Sequence, residues 1–100
     1  MSLRDICEKI IDIEEKLMFG EIDFQYDALM SAMKPGHPME ILDQILAEIY
    51  FTVLSDKEPS KEELENVIKN LKDFVKCFKV KELKPIIKDL SEYVKHMDMD

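Results

Sequence analysis

Apolar residues recur along most of the chain at alternating steps of three and four, the spacing of one face of an α-helix. Leu3, Ile6, Ile10, Ile13 and Leu17 form the first such stripe. Ser2 and Asp5 have the spacing of a capping box, so a helix is predicted from about Leu3 to Met18, with Gly20 as its stop. A shorter stripe of Ile22, Tyr26, Leu29, Met30 and Met33 predicts a second helix from about Phe24 to Met33, with Asp23 as cap. The segment KPGHP at 34–38 must be a tight connection, because two prolines and a glycine in five residues cannot continue a helix. Pro38 then suits the first position of the next helix, with His37 as its cap.

That helix, 38–54, carries Met39, Leu42, Ile45, Leu46, Ile49, Tyr50 and Val53, an apolar arc wider than half its circumference, and is expected at the centre of the molecule. After the polar linker SDKEPS, Ser60 and Glu63 form a second capping box. The helix it opens has Leu64, Val67, Ile68, Leu71, Phe74, Val75 and Phe78 as its buried stripe. Pro85 would break a helix running through it but is tolerated in a first turn, so the last helix is predicted to begin near Glu82. Leu83, Ile86, Ile87, Leu90, Tyr93, Val94 and Met97 complete its stripe. One hundred residues with these elements make a single all-α domain, an antiparallel helical bundle of four long helices plus one short helix.

Three residues break the pattern. Glu14 falls inside the apolar arc of the first helix, among Leu3, Cys7, Ile10 and Leu17. Phe51, with Ala47 one turn before it, falls inside the polar arc formed by Glu40, Asp43, Gln44 and Glu48. Phe24 lies opposite Ile22, Tyr26, Leu29 and Met33. Leaving a phenylalanine in water forgoes about 1.5–3 kcal/mol of burial free energy, so these rings call for a cover. The cover is another helix of the same chain, a second protein chain, or lipid. An acidic rim is repelled by anionic membranes, which puts lipid last.

Charge sharpens this reading. The net charge of −8 resides in residues 1–58, where 5 Lys or Arg face 13 Asp or Glu, while the remainder balances. Within 69–95 the sign reverses, with eight lysines against four acids, so one part of the molecule is acidic and another mildly basic. The basic part has no Arg to read base edges and the acidic part repels phosphate, which argues against nucleic acid. A basic leader followed by an apolar run is lacking, and so is an apolar stretch of membrane-spanning length, so the expected location is the cytoplasm. Two cysteines, Cys7 and Cys77, make no disulfide framework and are expected to be free thiols. Cys77 is expected on the polar side of its helix, near a C-terminus that disfavours a thiolate.

Catalytic signatures are sparse. No E-x-x-H pair, nucleophile elbow, phosphate-binding glycine loop or C-x-x-C pair occurs, and no cofactor is implied. Glu40 and Asp43, three apart, would let two carboxylates share a hard cation. With Glu14 and Glu15 they resemble part of the EExxE plus ExxD pattern of MazG-like nucleotide pyrophosphohydrolases, helical enzymes whose carboxylates hold magnesium. Met18 stands where the third glutamate of EExxE falls. In size, helix count and the run Tyr50-Phe51-Thr52 before a polar turn, the chain is similar to the helical immunity proteins of bacteriocin producers, although those tend to be basic. The expected function is a protein-protein interaction or regulatory module without catalysis, acting as a homodimer or a subunit of a complex. Phe24, Ala47, Glu48 and Phe51 are its partner-binding residues; the alternative is a magnesium site of Glu14, Glu15, Glu40 and Asp43.

Overall fold

A computed structural model describes residues 2–25 and 37–97. Among them are four α-helices, α1 (Leu3–Met18), α2 (Pro38–Leu54), α3 (Lys61–Phe78) and α4 (Lys84–Met97), with one turn of 3-10 helix at Lys81–Leu83. The ends of the helices follow local chemistry. Ser2 and Asp5, and Ser60 and Glu63, close the two capping boxes. His37 Nδ1 accepts a hydrogen bond from the Met39 N–H at 3.2 Å, so the expected histidine cap is present, followed by Pro38 as the first helical residue. Gly20 takes a left-handed φ of 73° after α1, and the Glu21 N–H reaches back to the Lys16 carbonyl at 2.8 Å in a Schellman stop.

The helices form an up-down-up-down ring. α1 packs against α2 and α4, and α3 packs against the same two, while the backbones of the diagonal pairs stay more than 8 Å apart between Cα atoms. Glu14 near the end of α1 interacts with Asp43 near the start of α2. Glu48 bonds Asn66 across the α2–α3 seam, and Lys9 reaches Asp89 on α4 at 3.9 Å. Tyr93 near the end of α4 donates to Glu58 in the α2–α3 connection at 2.8 Å. These pairings set every neighbouring helix antiparallel. The predicted stripes meet in a core whose largest fully buried side chains include Phe74, Phe78, Leu42, Leu46 and Leu71.

Four expectations change. The short helix at 24–33 lies mostly outside the described residues; Phe24 and Gln25, which are described, are not helical. The Gln25 N–H instead donates to the Phe78 carbonyl at 2.9 Å, tying that strand of backbone to the end of α3. α2 is one corner of a four-helix ring and not its centre, since it has the same number of helical neighbours as the others. Its wide apolar arc is shared between two neighbours and an outward strip. The last helix begins at Lys84, two residues beyond the predicted start, after the 3-10 turn, because Pro85 has no N–H to give to the Lys81 carbonyl. Cys77 is fully buried instead of lying on a polar side. After α3 the chain turns back so that its 3-10 turn packs on that helix, with Val80 and Leu83 buried like Cys77.

Candidate interaction surface

The outer face of α2 runs between two seams. At 100° per residue Phe51 lies roughly 80° around the helix from Asp43, which marks the α1 side, and roughly 60° from Glu48, which marks the α3 side. Its ring is 73% exposed, so no helix of the described chain covers it. Leu54, one turn further on, is 44% exposed, and Ala47 one turn earlier is exposed as well. These three make an apolar strip along one face, spaced by three and four residues. Glu48 borders it and is held in place, because Asn66 Nδ2 donates to both of its carboxylate oxygens at 2.9 and 3.1 Å.

Beside that border lies an open acidic cleft of about 690 Å³ between α2 and α3, lined by Glu48, Glu62, Glu63 and Glu65 among others. The strip and the cleft occupy the end of the bundle where α2 finishes and α3 starts. Phe24 lies at the opposite end. Its ring is 41% exposed and makes edge-on contacts with His37 and Phe78, at centroid distances of 5.8 and 6.4 Å. From His37 to Phe51 is fourteen residues of α2, roughly 20 Å of helix. The structure brings Ala47, Glu48 and Phe51 together and sets Phe24 apart from them.

The carboxylates of the alternative site divide in the same way. Glu14 is only 8% exposed, and its Oε1 has no hydrogen-bond partner. Burial pushes its carboxyl up to about 8, with the neighbouring Asp43 carboxylate adding to the rise by charge and by accepting the proton's hydrogen bond. Glu15, Glu40 and Asp43 are exposed. Among the described residues no group of three or more His, Cys, Asp and Glu side chains is placed to share a metal ion. Cys7 and Cys77 are buried free thiols; burial, helped by Glu8, raises Cys7 to about 11 and removes it as a nucleophile at neutral pH.

A second cleft, of about 460 Å³, opens between the end of α3 and the start of α4. Lysines including Lys72, Lys76, Lys81 and Lys84 rim it, and Val75 and Ile87 form its floor. The reversal of charge sign along 69–95 was legible in the sequence; its convergence on one groove was not, because Val75 and Ile87 read as parts of two separate buried stripes. Leu54, the last residue of α2, was placed in neither the apolar nor the polar arc by periodicity, and its exposure beside Phe51 emerges only from the structure.

No known family matches the chain, and neither a curated protein nor a solved structure is significantly similar to it. Among the described residues no helix is long and apolar enough to cross a membrane.

Proposed function

We propose that this chain is a cytoplasmic protein-protein interaction or regulatory module that docks another protein chain on the outer face of α2. The observation that carries this reading is the Phe51 ring, three-quarters exposed on a well-capped helix whose other large apolar residues are mostly buried. An exposed ring in a frame of Ala47 and Leu54 has the make-up of an interface anchor, and Glu48 with the neighbouring glutamates supplies a charged rim that steers and orients a partner. Chains held this way form a homodimer or a subunit of a complex. The test is sedimentation and capture of partners from lysate with the wild-type chain and with Phe51→Lys. The wild type should associate and the variant should not, while at a concentration where both are monomeric they share the same thermal midpoint. Equal association by the two proteins would overturn the reading.

One observation favours a second reading. A buried carboxyl near pKa 8 beside a second carboxyl group, that of Asp43, is suited to proton transfer at neutral pH. In that reading Glu14, beside Asp43, is the proton-transferring group of a magnesium-dependent nucleotide hydrolase of the MazG-like kind, although the described side chains, Glu15 and Glu40 included, do not converge on a metal ion. Thermal stabilisation by magnesium together with a nucleotide, abolished in Glu14→Gln, would support it over the docking module.

A further inference from the structure

We propose that the lysine-rimmed cleft between α3 and α4 is the seat for the acidic, Phe51-bearing end of a second copy of this chain, so that copies associate head to tail. The proposal rests on the reading of Phe51 as an anchor and names its partner.

The placement of the lysines is the first reason. Lysines in the last turns of α3 complement its dipole, and glutamates in its first turn do the same. Lys81 and Lys84 have no such explanation. They sit in the 3-10 turn and at the first residue of α4, whose first turn holds no acid, and a helix N-terminus disfavours cations. Something other than helix stability is served by bringing them to the same groove as Lys72 and Lys76.

Complementarity is the second. The cleft has an apolar floor of Val75 and Ile87 within a cationic rim, both residues being half-buried. The opposite end of the molecule has an apolar strip of Phe51 and Leu54 beside a cleft of Glu48, Glu62, Glu63 and Glu65 that stays net negative, although Lys69 also lines it and Lys61 pairs with Glu65. The two surfaces are both partly apolar and carry opposite net charge. Within one chain they cannot satisfy one another: Glu62 and Lys76 are roughly 20 Å apart along α3, about twice the screening length of 8–10 Å at physiological salt. A second copy removes that separation. With a net charge of −8, copies repel in most orientations, and the head-to-tail approach is the one that sets opposite signs in contact. Two different surfaces meet, so the interface is heterologous and builds rings or open chains rather than a closed two-fold dimer.

The test uses the full chain in sedimentation velocity over a range of concentrations, at low and at high salt. The wild type should gain mass with concentration at low salt and lose it at high salt. Phe51→Lys, and separately Lys81→Glu with Lys84→Glu, should each weaken association at least about tenfold. All altered residues are exposed, and acids suit the start of α4, so at a concentration where the wild type is monomeric both variants should keep its melting profile. An equimolar mixture of the two variants should form pairs and nothing larger, because each retains the surface the other has lost. A wild-type chain that stays monomeric at every concentration overturns the proposal, as does a mixture that fails to pair. If Phe51→Lys abolishes association while the lysine variant associates normally, the cleft is not the seat, and the anchor role of Phe51 stands without it.

Discussion

Glu14 and Phe51 break the amphipathic pattern in opposite directions, and the structure treats them differently. At the α1–α2 seam a carboxylate that should face water is enclosed between two packed helices. It yields by holding its proton, since a charge there would be stripped of solvent beside the Asp43 carboxylate. On the outer face of α2 a ring that should be buried stays in water, because nothing in a four-helix ring lies beyond that corner. A polar group in the core can adjust its ionisation; an apolar ring on the surface has no such internal remedy. The first violation can therefore be resolved within the fold, and the second is the one that points outward.

The largest effect expected from this contrast comes from comparing two phenylalanines. Phe74 is fully buried and packs against Phe78 with tilted rings at a centroid distance of 4.8 Å, so Phe74→Ala should cost about 3–5 kcal/mol of stability. Phe51→Ala should change the stability of the isolated chain by less than about 0.5 kcal/mol. Chemical denaturation of both, at a concentration where the chain is monomeric, makes the comparison. A loss of more than about 2 kcal/mol for Phe51→Ala would mean that the ring is covered within its own chain.

The seam responds to pH. The folded carboxyl of Glu14 lies near 8 against an ordinary value of 4.5, so between these values the folded state holds a proton that the unfolded state has lost. Stability attributable to this group therefore falls as pH rises from about 4.5 to about 8, and the full penalty is present above that. Glu14→Gln should remove the slope and raise stability at pH 9 by about 1–2 kcal/mol, a figure reduced from the whole shift because solvent reaches exposed Asp43. Unfolding curves from pH 4 to pH 9 for both proteins would test this, and parallel profiles would mean that Glu14 finds solvent or a partner.

The smallest loss of stability expected from a buried or capping group belongs to a feature that neither violation touches. Ser60→Ala removes the acceptor for the Glu63 N–H, a hydrogen bond of 3.1 Å, and should cost about 1 kcal/mol while leaving association unchanged. A change in association with this variant would show that the acidic end of α3 docks through its exact backbone position and not through its side chains.

The sequence by itself determined the four helices, their caps and the core stripes, because helical periodicity, capping boxes, prolines and the Gly20 stop act over a few residues. Local chemistry of that kind also exposed Glu14 and Phe51 as exceptions. It could not say which would be enclosed: a stripe wider than half a helix is compatible with a centre or with a corner, and only the arrangement of neighbours decides between them. The placement of Phe24 and Phe51 at opposite ends, the burial of Cys77, and the meeting of lysines from two helices over Val75 and Ile87 were all decided by tertiary structure. The physical reason is that these features depend on groups distant in sequence sharing one volume, and a periodicity records which way a residue points but not what it meets there.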